Sequence, residues 1–388
     1  MYGGGQSFAP ILHTYPLNLD PMVRDGYQHF YNLDYDVALS RFQQVQKSHP
    51  NDPMAVNYVL LTTLFRELYH QDLLDTTYYA HEHFLSAKRA IVFPANVRQQ
   101  IESLTAQAIS LSDQRIRANP NDKDAWFARG YAQGMHATFL IMVDRSYVSA
   151  ANLGRKSRND DEHVLQLDPA YVDAEMAVGI QQFVIATMPK ALRMIIGIAG
   201  FSGSKDKGLA LLRDAGERGT VTSVESRIAL SLFLRHDARY LDAVAVQKQL
   251  SGQYPHNFLF RVEVANLTKD AGNGPQAIAL YKTVLADAEK KNYFVDARLQ
   301  MAWFGMADTE RGQNDFQGAA NAYLQAAAQP NCSEWLRRRA ELSAGEMLDM
   351  LHQREKALQQ YQLAASPGID QSQADEARKY MKTPYPAK

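Results

Sequence analysis

The sequence predicts an all-α, right-handed superhelix of stacked antiparallel helix pairs, and three observations predict it. A small residue followed by an aromatic four later recurs as Ala277/Tyr281, Ala319/Tyr323 and Ala357/Tyr361. The anchor alanines Ala243, Ala277, Ala319 and Ala357 are 34, 42 and 38 residues apart, a period that marks helix-pair arrays. No stretch alternates apolar and polar residues as a half-buried strand must.

Taken in order, residues 1–18 contain three consecutive glycines and read as an irregular tail. Residues 19–224 carry degenerate helix pairs with longer insertions. Gly26, Tyr35, Ala38, Phe42 and Pro50 sit at repeat-like offsets. A helix is expected over Ala55 to Leu85 and another over Asn96 to Ala118. Asn119-Pro120 and Asp168-Pro169 are helix-start signals, leading to Trp126/Gly130 and to Gly179. Residues 225–368 hold the regular repeats. In each, an alanine lets two helices approach and an aromatic fills the gap to the next unit. A proline after the second helix ends it. Residues 369–388 read as a capping helix and tail, which such arrays need at their ends.

This grammar resembles the tetratricopeptide-repeat superfamily over nearly the whole chain, so the expected fold is a tetratricopeptide-type helix-pair solenoid. Gly200-Phe201-Ser202-Gly203, Lys207 to Leu212 and Tyr254-Pro255-His256-Asn257-Phe258-Leu259-Phe260 add a narrower resemblance. Residues ~120–290 resemble the eukaryotic inclusion-body-clearance family and uncharacterised bacterial repeat proteins. That resemblance implies a non-enzymatic adaptor, and its bacterial relatives tend to be exported.

Composition narrows the function. With 41 basic and 42 acidic residues, the chain lacks the surplus that non-specific nucleic-acid binding needs. A single cysteine, Cys332, allows neither an intrachain disulfide nor a cysteine zinc site. No secretory signal is visible after Met1, so the chain is expected to be cytoplasmic if Met1 is its native start, and exported otherwise. No segment reads as transmembrane; Lys190 and Arg193 interrupt the most apolar one, Met176 to Phe201. Burial in the array is expected for that stretch, with a protein or lipid surface as alternatives.

No catalytic, cofactor or metal site is expected. The Gly197 to Gly208 segment lacks Walker spacing and reads as a loop entering a helix. His81-Glu82-His83 puts its imidazoles on different helix faces. Asp160-Asp161-Glu162 is expected to pair locally with Arg155-Lys156-Ser157-Arg158 or to be solvated, and Arg337-Arg338-Arg339 to form a solvated face.

The function then falls to the groove. A concave face lined by the first helix of each unit offers a row of side chains to a peptide or protein segment. The residues expected there are Phe127, Tyr131, Met176, Ile180, Phe183, Arg235, Asn266, Lys269, Phe304, Asp308, Arg311, Glu346 and Asp349. The set is apolar at its N-terminal end and charged at its C-terminal end. The alternative is a structural subunit that self-assembles through residues 1–18 into an oligomer or filament.

Overall fold

The computed structural model describes residues 12–79, 91–188, 194 and 202–386. Among the described residues there are 17 α-helices and no strand. The first are α1 (Pro21–Tyr31), α2 (Tyr35–Ser48), α3 (Pro53–His70), α4 (Ala95–Ala118), α5 (Lys123–Phe139) and α6 (Tyr147–Leu167). Then come α7 (Glu175–Thr187), α8 (Lys205–Arg218), α9 (Ser223–His236), α10 (Tyr240–Gln253), α11 (Phe258–Asp270) and α12 (Gly274–Ala288). The chain closes with α13 (Leu299–Gly312), α14 (Phe316–Ala328), α15 (Glu334–Met350), α16 (Arg354–Ala364) and α17 (Ala374–Lys382).

Short polar residues start many of these helices. Asp20, Asp52, Asp122, Ser204, Asn257, Asn273, Asp315 and Ser333 each accept a backbone N–H of the first turn. Pro21 and Pro53 supply the helical φ at the first position, where the missing N–H has no helical partner anyway.

Each helix packs mainly on its sequence neighbours, which makes the chain a solenoid. Odd-numbered helices also touch one another, α3 with α5, α7 with α9, α11 with α13 and α13 with α15. They form the inner layer. Burial follows: α15 buries most of both its faces, whereas its outer partner α16 buries only Ala357, Tyr361 and Ala364.

One turn recurs between inner and outer helices. Leu33, Ala238, Gly272, Asn314 and His352 adopt φ of 64°, 57°, 84°, 62° and 57° after α1, α9, α11, α13 and α15. The following residue donates back to the inner helix, as in Arg239 N to Leu234 O at 2.8 Å and Gln353 N to Leu348 O at 2.8 Å. This left-handed cap satisfies the last carbonyls of the helix. Glycine, the residue best suited to it, occurs here only at Gly272.

The small and aromatic residues of the repeat meet across each pair. A Cβ on Gly26 would stand 2.6 Å from the Phe42 ring, and one on Gly345 would stand 2.4 Å from the Tyr361 ring. Glycine lets the outer-helix aromatic lie on the inner-helix backbone.

Two expectations change. The helix expected over Ala55 to Leu85 stops at His70, because Asp72 turns to φ 54° and spends its carboxylate on distant groups. The Arg337-Arg338-Arg339 triplet is not a solvated face. Arg337 donates to the carbonyls of Ala327, Gln329 and Cys332, and Arg338 to those of Ala364, Ser366 and Pro367. Both cover the negative C-terminal ends of outer helices α14 and α16. Arg339 lies over the Phe304 and Trp335 rings, 4.6 and 5.4 Å from their centroids.

Candidate functional site on the concave face

The chain's own N-terminal part lies against the later inner helices. Asp72 is the main tie. It accepts Arg298 Nε at 2.5 Å, Gln300 Nε2 at 2.9 Å and the Ser333 backbone N–H at 2.9 Å. The Arg298 and Asp72 side chains are 4% and 1% exposed, so this ion pair is buried and depends on its extra hydrogen bonds. Tyr69 donates to the Asp296 carbonyl. Asn257 Nδ2 donates to Tyr31 O at 2.7 Å, and the Tyr31 and Tyr254 rings pack 5.3 Å apart.

The expected groove residues fall into three groups. At the apolar end, Phe127 and Tyr131 are buried in α5, with Phe127 against Tyr171. Phe183 stacks on Phe233 at 4.2 Å, and Met176 and Ile180 are half-buried against the same cluster. These side chains are packing between helices.

In the middle, Arg235 is buried and pairs with Asp270 at 2.5 Å and Glu263 at 3.3 Å. It also donates to Thr76 Oγ1 at 3.2 Å, and Asn266 Nδ2 donates to Thr77 Oγ1 at 3.1 Å. Residues 76–77 of the same chain thus take up hydrogen bonds of the inner helices here. Lys269 is half-buried, 3.8 Å from Asp270.

The charged end is different. Phe304 is buried against Tyr323, whose hydroxyl donates to Asp308 at 2.5 Å. Arg311 pairs with Glu346 at 2.9 Å. Burial pushes the Glu346 carboxyl up to about 7 despite that guanidinium. Asp349 accepts Tyr361 Oη at 2.9 Å and pairs with Arg354 at 2.9 Å.

Onto this end folds the chain's own tail. Tyr385 donates its backbone N–H to Asp349 Oδ2 at 2.8 Å, and Arg311 Nη2 donates to its hydroxyl at 2.9 Å. The guanidinium carbon of Arg311 lies 5.8 Å from the Tyr385 ring centroid, and the Tyr380 ring lies 5.2 Å away on edge. Sequence reasoning named Arg311 and Asp349 but not Tyr385, and Asp72 carried no local signal at all.

Other sequence features resolve in plain structural roles. Residues 202–208 lead into α8, where Ser204 caps Lys207 N and Gly208 packs on the α7 backbone, so that a Cβ there would stand 2.8 Å from Gly179 O. Within the acidic run, Glu162 pairs locally with Arg158, as expected. Asp160 instead reaches Arg129 on α5 at 2.7 Å, and Asp161 is buried, which raises its pKa well above the usual carboxylate range. His81-Glu82-His83, residues 1–11, and residues 189–193 and 195–201 of the apolar stretch lie outside the described residues. Within its described part, Val184 and Met194 are exposed while Ile185 is buried. Among the described residues no His, Cys, Asp and Glu group is arranged to hold a metal ion, and no helix is long and apolar enough to cross a membrane.

No curated protein sequence matches the chain. Among solved structures it is similar to a tetratricopeptide repeat protein from Parabacteroides merdae, at 11% identity, 84% of this chain, 98% of that chain and TM-score 0.36. It is also similar to yeast Tom70, at 11% identity, 93% of this chain, 94% of that chain and TM-score 0.38. The tetratricopeptide domain of P58(IPK) matches at 14% identity, 86% of this chain, 99% of that chain and TM-score 0.27. The sequence model of one repeat family matches residues 94–333, a span that includes the 200–260 pattern noted in the sequence. The chain belongs to the Iml2/Tetratricopeptide repeat protein 39 family.

Proposed function

We propose that this chain is a non-catalytic protein-binding scaffold whose concave end at α13 and α15 takes an extended peptide segment bearing an aromatic side chain. The repeat fold suggests an interaction scaffold in general. The observation that carries the finer reading is the seat of Tyr385. A backbone N–H meets Asp349, while an aromatic hydroxyl and ring meet Arg311. Backbone pairing gives affinity and the aromatic position gives selectivity, as in other peptide grooves. In this reading the tail is an intramolecular competitor, present at high effective concentration because it is tethered.

The test uses a chain ending at Lys382 and a fluorescent peptide matching Lys382 to Lys388. The peptide is expected to bind the shortened chain and to bind the full chain at least tenfold more weakly. Arg311→Ala in the shortened chain should lower affinity severalfold. Equal binding to both chains, or none to the shortened one when it is folded, would sink the reading.

Self-assembly through residues 1–18 has less support. Residues 13–15 are already spent on the same chain, His13 on Asp168 at 2.9 Å, Thr14 on Asp173 at 2.6 Å and Tyr15 on Asp52 at 2.9 Å.

A further inference from the structure

A cavity of about 120 Å³ lies in the seam between α1 and α3 on one side and α9 to α11 on the other. Its wall is mostly apolar, with Phe30, Leu61, Phe65, Ile228, Phe260 and Met301. Three polar side chains in that wall are shielded from solvent and unpaired. They are both carboxylate oxygens of Glu225, Gln247 Oε1 and Tyr31 Oη. Gln247 and Tyr31 are 2% and 5% exposed. The stem of Glu225 is partly exposed, but its carboxylate is not. The Tyr31 hydroxyl and the backbone N–H of Glu225 both act on that carboxylate and favour its charged form, though neither closes a well-aligned hydrogen bond to it.

Other polar groups of the wall are spent. Asn257 serves Tyr31 O and Phe260 N, and Glu263 serves Arg235 and Asn266. No lysine or arginine is among the described residues lining the cavity. The unspent oxygens of Glu225 and Gln247 are acceptors, and each buried acceptor left unpaired costs about 1–3 kcal/mol. Glu225 and Gln247 bring such acceptors together in the wall of one cavity, where a ligand completes them.

We propose that this cavity binds a small organic ammonium, a primary amine on an apolar body the size of an isopentyl or benzyl group. An ammonium brings three N–H donors and a charge to match the Glu225 and Gln247 oxygens. The apolar body lies against the Phe30, Leu61, Phe65, Ile228, Phe260 and Met301 wall. A carboxylate ligand would meet Glu225 with like charge, and a hydrocarbon would leave the acceptors unpaired. The titratable groups facing Glu225 are Tyr27 and Tyr31 from α1, Tyr131 from α5, Asp173 before α7, Arg227 on α9 and Tyr254 after α10. Burial pushes the Glu225 carboxyl up to about 7, so affinity for the amine rises from pH 6 to pH 8.

The experiment is calorimetric titration of the full chain at pH 8 with benzylamine, benzyl alcohol and benzoate. Benzylamine is expected to saturate a single site at least tenfold more tightly than benzyl alcohol, with no heat from benzoate. Glu225→Gln should erase that preference. Gln247→Leu, with Glu225 intact, should lower amine affinity severalfold and keep the preference, so the two variants together guard against a folding defect in either. Equal binding of amine and alcohol, no binding of amine, or a preference that survives Glu225→Gln in folded protein overturns the proposal. So does a benzylamine-soaked crystal that shows only an ordered water between Glu225 and Gln247.

Discussion

The hydroxyl of Tyr323 on α14 donates to the carboxylate of Asp308 on α13 at 2.5 Å, and the same link recurs along the array. Tyr281 donates to Asn266 at 2.5 Å and Tyr361 to Asp349 at 2.9 Å. Each outer-helix tyrosine of the repeat thus closes on a polar residue of its own inner helix. Burial and the adjacent Asp308 both raise the Tyr323 pKa, so this phenol stays protonated and donating. Tyr323→Phe is expected to cost about 1–2 kcal/mol by removing a buried donor from a charged acceptor. Urea denaturation measures it. Tyr281→Phe removes the same link one unit earlier, and because Asp308 also acts on the Tyr281 hydroxyl, the double variant measures how far the two links are coupled. A cost near zero for both would show that water replaces the hydroxyls.

Asp72 joins the N-terminal helices to the start of α13 and of α15. Asp72→Ala leaves Arg298 buried without its carboxylate, which costs about 3–5 kcal/mol. The loss should be visible in the denaturation midpoint. It should also appear as new proteolytic cutting between α3 and α4, because the N-terminal part then detaches from the inner face.

Left-handed residues offer the opposite sign. Leu33 and His352 hold φ of 64° and 57° with a Cβ present, a conformation costing about 1–2 kcal/mol. Leu33 is also buried, so part of any gain there is offset by lost packing. His352 is exposed, and His352→Gly is the cleaner case, with an expected gain of about 0.5–1 kcal/mol in thermal or urea unfolding.

The stability of the chain should fall as pH rises through about 7. The folded pKa of Glu225 is raised to about 7, mainly by burial, above its unfolded value near 4.5. The folded state therefore holds the extra proton between those values, and its advantage is full below the lower one and lost above the upper. At about 1.4 kcal/mol per unit, Glu225 contributes on the order of 3 kcal/mol of pH-dependent stability. Glu346, also raised to about 7, acts in the same direction. Glu225→Gln should flatten the fall in melting temperature between pH 5 and pH 8. An unchanged profile would show that the carboxylate is ionised in the folded protein.

The repeat itself was legible because its signals are local. The Ala319/Tyr323 and Ala357/Tyr361 spacings, the Asp and Asn caps and the helix-ending prolines act over one or two turns. They suffice to give helix pairs and a solenoid. The sequence named both the tyrosines Tyr281, Tyr323 and Tyr361 and the inner-helix residues Asn266, Asp308 and Asp349, but not their pairing, which joins two helices.

What closes the superhelix was decided only in three dimensions. Asp72 and Arg298 are 226 residues apart, and nothing near either one marks the other as its partner. Tyr385 reaches Arg311 across 74 residues, over two further helix pairs. A periodic sequence fixes how each unit stacks on the next, but a small error in twist per unit accumulates along the array. Whether the inner face stays open or is filled by the chain's own ends depends on that sum. It is read from the tertiary contacts of Asp72, Arg235 and Tyr385, and from no single repeat.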